Sequence, residues 1–205
     1  MASNRHNRND WNEFRWEHEI RLDEKRIKCY FQELPCCIDL PGEEDYIMKK
    51  MSGMPDLVPS QNQDIFFYFS DDDDDDDEDD FFSGEWRHKK GAELYDQIII
   101  ISKQWNSILA SSLTGEEFKK GMAATCLLGK IASRMIDILN SDAKMQGLKI
   151  SLLKRVLSEL NSLIGIIRAT IQTRRVLEPQ LYEIIEQLQG IREKFIDLLQ
   201  ELRGS

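Results

Sequence analysis

Residues 177–202 read LEPQLYEIIEQLQGIREKFIDLLQEL. Within them Leu177, Leu181, Ile184, Leu188, Ile191, Phe195, Leu198 and Leu202 step alternately by four and three, the spacing that lines one face of an α-helix with a heptad seam. Pro179 stands where a first-turn proline is tolerated, so a helix is expected to open there. A helix with one continuous apolar seam cannot bury that seam alone. The fold must therefore be helix on helix, and the rest of the chain can be searched for the partners.

Three more helical patterns lie immediately upstream. Leu94, Ile98, Ile101, Trp105, Ile108 and Ser112 repeat by four and three, and predict a helix that begins near Arg87. Thr114, followed three residues later by Glu117, has the spacing of a capping box and predicts the start of a second helix. Its apolar face is expected to be Phe118, Met122, Thr125, Leu128, Ile131, Met135 and Ile138. Gly121, Ala124, Gly129 and Ala132 beside that face would let a neighbouring helix come close. Asn140-Ser141-Asp142 supplies turn and N-cap chemistry for a third helix over about 143–174. That helix carries apolar residues on more than one stripe, including Leu148, Leu152, Leu153, Val156, Leu157 and Leu160. It should touch two or three neighbours. With links this short, residues 88–205 are expected to form an up-down-up-down four-helix bundle in an all-α protein.

The first 87 residues differ in kind. From Asp10 to Leu34 the stripe Trp16, Ile20, Ile27, Tyr30 and Leu34 predicts an amphipathic helix stopped by Pro35, which defines a segment 1–35. Residues 36–87 read as a flexible linker, with Pro41-Gly42, Gly53, Pro55 and Pro59 breaking its apolar pieces. Within it, residues 71–80 form an unbroken acidic run, preceded by Ile65-Phe66-Phe67-Tyr68-Phe69 and followed by Phe81, Phe82 and Trp86. Adjacent carboxylates repel one another and hold their water, so this tract is expected to stay disordered. Charge follows the same division. Residues 1–87 hold 24 acidic against 10 basic side chains, net −14, and residues 88–205 hold 13 against 17, net +4, which together give the chain's −10.

A catalytic reading finds little material. The only histidines, His6, His18 and His88, lie in or beside the polar arm, and neither Glu-x-x-His pairs nor a phosphate-binding glycine loop occurs on the body helices. No catalytic residue, cofactor or metal site is expected. Cys29, Cys36, Cys37 and Cys126 match no standard zinc spacing and are read as free thiols. The basic pairs Lys119-Lys120, Lys154-Arg155 and Arg174-Arg175 fall on separate helical segments, too sparse for tracking phosphates, so no direct nucleic-acid binding is expected. Met1 to Asp10 is polar with no apolar segment after it, and Ile65 to Phe69 is far shorter than a membrane span. The chain is read as soluble and intracellular, cytoplasmic or nuclear.

Protein partners remain. Asp80-Phe81-Phe82-Ser83-Gly84-Glu85, after its acidic run, resembles the motif of two phenylalanines in an acidic tract used by ligands of the VAP proteins of the endoplasmic reticulum. The resemblance implies that the acids steer toward a basic surface, that an aromatic fills an apolar pocket, and that phosphorylation of Ser83 restores charge where an acid usually stands. Gly84 and Trp86 depart from that motif, which usually has a small side chain and an acid there. Ser70, followed by Asp71, Asp72 and Asp73, resembles an acidophilic kinase site. The anchors expected to meet a partner with a basic or apolar groove are Phe81, Phe82 and Trp86 in the arm, with Trp11 and Trp16 ahead of it. The expected function is that of a non-enzymatic adaptor or regulatory protein. The alternatives are a structural subunit of a larger helical complex, an acidic-tailed histone chaperone or transcription co-regulator, and an enzyme or enzyme accessory working through carboxylates. The Leu177–Leu202 seam also offers a route to self-association.

Overall fold

The computed structural model describes residues 11–38, 40–54, 57, 85–142 and 144–204, with the side chains of Glu85 and Trp86 excepted. Every regular element among them is helical: α1 (Glu13–Cys37), α2 (Glu43–Ser52), α3 (Ala92–Ser112), α4 (Gly115–Asn140), α5 (Gln146–Thr173) and α6 (Glu178–Gly204), with 3-10 turns at Glu85–His88 and Arg175–Leu177. The all-α expectation holds. No described helix is both long and apolar enough to cross a membrane. The chain divides into two compact units, one of Met1–Glu13 with Asp79–Ser205 and one of Phe14–Glu78.

In the larger unit each of α3, α4, α5 and α6 packs on the next, and α3 also packs on α6. The seam of the opening stretch is buried as its spacing requires: Leu181, Ile184, Leu188, Ile191 and Phe195 are each at most 2 % exposed. Those five residues are spent on packing inside the chain, while Leu177, Leu198 and Leu202, at the two ends of the seam through which self-association was expected, are half-buried. Trp105 of α3, Leu128, Ile131 and Met135 of α4, and Leu153, Leu160, Leu163 and Ile167 of α5 complete the core. The broad apolar face of α5 is explained by its position, with α4 on one side and α6 on the other.

Several local expectations are corrected. On α3 the buried row is Leu94, Ile98, Ile101, Trp105 and Leu109, because a straight helix turns once per 3.6 residues and drifts off a strict heptad, here after about three turns. Thr114 is the N-cap residue of α4 but makes no capping side-chain bond, and the Glu117 carboxylate is taken instead by Arg174 Nε. In the first turns of α4 Gly121 and Ala124 are buried while Phe118 and Met122 are each 41 % exposed. Gly121 explains this arrangement. A Cβ there would stand 2.4 Å from Leu109 Cδ1 and 3.1 Å from Leu113 Cδ1, so α3 seats on the glycine and turns the bulky positions outward. Gly129, in contrast, has nothing within 4 Å of such a Cβ and admits no close neighbour within the chain. Ser141 Oγ donates back to Ile138 O at 2.8 Å and so closes α4, which is why α5 starts at Gln146, later than the Asn140-Ser141-Asp142 turn suggested.

The smaller unit corrects the linker. Residues 43–52, read as irregular, form α2, entered through Gly42 at φ 76°, a left-handed value that favours glycine. Ile47 and Met51 of α2 close on Cys37 of α1, with Cys29, Tyr30 and Leu34 packed around them. α1 does not stop at Pro35 but continues to Cys37. A proline this near a helix C-terminus removes only the hydrogen bond to the carbonyl four residues back, and burial of Cys37 holds the last turn.

Candidate interaction surfaces

The described side chains are taken unit by unit. Residues 11–13 belong to the larger unit and are fixed to the first turns of α5. Gly147 makes room for them, since a Cβ there would lie 2.7 Å from Trp11 O and 3.1 Å from Glu13 N. Ser151 Oγ, fully buried, donates to Glu13 O at 2.8 Å. The Glu13 carboxylate meets Lys154 Nζ at 3.2 Å and Arg203 Nη2 at 3.4 Å. Burial alone would raise the pKa of this carboxyl, but the hydrogen bonds and charges of Lys154 and Arg203 outweigh it and hold the group below its ordinary value. Trp11 is half-buried beside this junction.

One residue of each basic pair of the sequence is held by a carboxylate. Lys119 pairs with Glu116 at 2.6 Å, Lys154 with Glu13, and Arg174 with Glu117. Arg134 Nε reaches both oxygens of Glu159, at 3.1 and 3.0 Å, and ties α4 to α5 with both side chains only 13 % exposed.

The smaller unit carries most of the exposed large apolar side chains among the described residues. Of the twelve large hydrophobic side chains that are exposed among the described residues, seven lie here: Phe14, Ile27, Phe31, Ile38, Leu40, Tyr46 and Met48. So high a share on so small a unit leaves much of its apolar side-chain surface exposed. Ile27, placed on the buried stripe by its spacing, is 57 % exposed, and Phe31 four residues on is 62 % exposed. The reason is that the small core takes the neighbouring row of Cys29, Tyr30, Leu34 and Cys37, which leaves Ile27 and Phe31 one turn aside. Arg26 braces the base: its Nε donates to Leu57 O at 2.9 Å and its Nη1 to Asp23 at 2.5 Å and Glu19 at 3.1 Å. Lys50 of α2 pairs with Glu33 of α1. A shallow groove of about 520 Å³ is lined by Lys25, Lys28, Cys29 and Gln32 of α1 and by Gly53, Met54 and Leu57 after α2.

The residues expected to bind partners fall in different places. Trp16 is half-buried in the smaller unit, whereas Phe14, two positions earlier, is 73 % exposed and is the more accessible anchor. Trp86 stands in the 3-10 turn Glu85–His88, which packs on α3. Phe81, Phe82, Ser70, Ser83 and the acidic run lie outside the described residues. Sequence reasoning missed Ile27, Phe31, Ile38, Leu40, Tyr46 and Met48 as an exposed set. The one available signal was Phe31, an aromatic residue off the predicted stripe. Among the described residues, no three His, Cys, Asp or Glu side chains gather as a metal-binding group. His18 and His88 are exposed.

No protein-family model matches the chain, and neither the curated proteins nor the solved structures include one similar to it.

Proposed function

We propose that the chain is a non-enzymatic adaptor, in which α3–α6 form an up-down-up-down four-helix bundle that serves as a platform, while the residues before it recruit partners. The observation that carries this reading is the concentration of exposed apolar side chains on the smaller unit, seven of the twelve in the described chain. Ile27 and Phe31, at helical spacing of four, supply one turn of an anchor row of the kind that amphipathic helices lay into partner grooves. The second recruiting element is the acidic tract with Phe81, Phe82 and Trp86, whose partner carries a basic or apolar groove of the VAP type, with Ser70 and Ser83 as phosphorylation sites that strengthen the attraction.

The experiment is quantitative affinity purification of the full chain beside two variants, one with Phe81, Phe82 and Trp86 changed to Ala and one with Ile27 and Phe31 changed to Glu. Each variant should lose a distinct set of partners, and the first should lose direct binding to a purified VAP domain. Equal recovery of every partner by all three proteins overturns the adaptor reading. A stoichiometric partner set lost only with the Ile27 and Phe31 changes supports instead the reading as a structural subunit of a larger helical complex.

A further inference from the structure

The seat of residues 11–13 has the parts of a peptide-binding site. Gly147, Ser151 and Lys154 follow one another at spacings of four and three, so they share one stripe of α5. Gln146 Nε2 donates to Leu202 O and holds the end of α6 beside that stripe, which brings Arg203 to the same carboxylate as Lys154. All four residues belong to the larger unit, as does the segment they hold.

Each part reads a different feature of that segment. The missing side chain of Gly147 admits main chain, since a Cβ there would lie 2.7 Å from Trp11 O and 3.1 Å from Glu13 N. Ser151 Oγ donates to the carbonyl of Glu13 at 2.8 Å. Lys154 and Arg203 select the Glu13 carboxylate, at 3.2 and 3.4 Å. Trp11 is half-buried and Asn12 is exposed, so the pattern selected is an aromatic residue, a residue of any kind, then glutamate. Trp11 and Asn12 precede α1 and are not helical, as suits a short peptide ligand.

The seat can also stand empty at little cost. Ser151 Oγ lies 2.9 Å from Gly147 O, one turn back on α5, and its single proton is donated there once Glu13 O has left. No buried hydroxyl is then orphaned. Lys154, Arg203 and Glu13 are all partly exposed and recover water. Ion pairs of this kind are individually weak, so a competing segment of the same pattern can displace the resident one.

We propose that this seat is a docking site for an aromatic–x–glutamate segment of a partner protein, and that Trp11-Asn12-Glu13 occupies it as an internal competitor. Charge favours such a ligand, because the seat offers two cations to one carboxylate. The site lies on α5 and α6 and is independent of the recruiting surfaces proposed above.

The test uses the full chain and a fluorescein-labelled peptide of residues 8–16, followed by fluorescence anisotropy at low salt. Glu13→Lys turns the internal competitor against Lys154 and Arg203 and should empty the seat, and the milder Glu13→Gln should loosen it. The peptide should bind the Glu13→Lys protein about 10-fold or more tighter than wild type, in which the tethered segment competes at high effective concentration. Adding Gly147→Ala fills the seat with a methyl that suits the helix, so it should remove about 10-fold or more of that affinity and leave the circular dichroism unchanged. A peptide carrying Glu13→Gln should bind about 5-fold more weakly, and that difference should vanish when Lys154→Gln and Arg203→Gln are added to the protein. The proposal is overturned if the peptide binds neither folded Glu13 variant, binds wild type equally well, or ignores Gly147→Ala. It is also overturned if wild type dimerises by sedimentation and Glu13→Lys does not, because the occupant would then be a second copy of the chain.

Discussion

Gly121→Ala is expected to destabilise the larger unit even though alanine is the better helix former. The added methyl would stand 2.4 Å from Leu109 Cδ1 and 3.1 Å from Leu113 Cδ1. Those leucines are 5 % and 3 % exposed, so neither can swing into solvent to make room. Forcing a methyl into such packing costs about 1–3 kcal/mol, against which alanine's helix preference returns about 1 kcal/mol. The same shift strains the Trp105 Nε1 hydrogen bond to Gly121 O, 3.2 Å long and buried, whose loss would add about 1 kcal/mol. A net loss of about 1–3 kcal/mol follows. Gly190→Ala is the control: it sits within α6, is exposed, and has nothing within 4 Å of its added Cβ, so it should gain about 1 kcal/mol. Urea unfolding followed by far-ultraviolet circular dichroism should move the two midpoints in opposite directions with little change of slope. If Gly121→Ala stabilised the protein as much as Gly190→Ala does, the close seating of α3 on α4 would be refuted.

Three further outcomes are expected. Glu159→Gln should cost about 1.5–3 kcal/mol by leaving Arg134 half-satisfied in a setting only 13 % exposed, and replacing both partners by apolar residues should recover much of it on denaturant titration. Glu13→Gln should lower stability at neutral pH by no more than about 1 kcal/mol, because the pair is partly exposed. Since the Glu13 pKa is depressed in the folded chain, its contribution is present above the ordinary glutamate pKa and lost as pH falls below it, so variant and wild type should converge in acid thermal melts. Ile47→Ala, at a fully buried position, should cost the smaller unit about 2–4 kcal/mol. Hydrogen exchange should then speed in α1 and α2 and stay unchanged in α3–α6.

What could be read in the sequence was whatever depends on period. The seam from Leu181 to Phe195 and the existence of α3 to α6 follow from spacing alone, even though four consecutive isoleucines at 98–101 favour a strand by local preference. Packing decides there, since Ile98 and Ile101 are both buried. Boundaries and faces were harder. Thr114 and Glu117 have the spacing of a capping box, but Arg174, distant in sequence, competes for the carboxylate. Phe118 and Met122 lie outside because Gly121 brings α3 too close for them to lie between. In the smaller unit, α2 is only ten residues long and flanked by Gly42 and Gly53, so its period was too short to stand out from its turn residues. The exposed set around Ile27 and Phe31 was legible only once Cys37, Ile47 and Met51 showed which row the little core takes.

The most direct measurement is urea unfolding of the isolated fragment 79–205. The account predicts a helical fragment with one cooperative transition and a midpoint near that of the corresponding transition in the full chain, reduced only by the loss of the Glu13 contacts. A fragment that lacks a cooperative transition would contradict it, because α3–α6 would then depend on other parts of the chain, or on another protein, to complete their core.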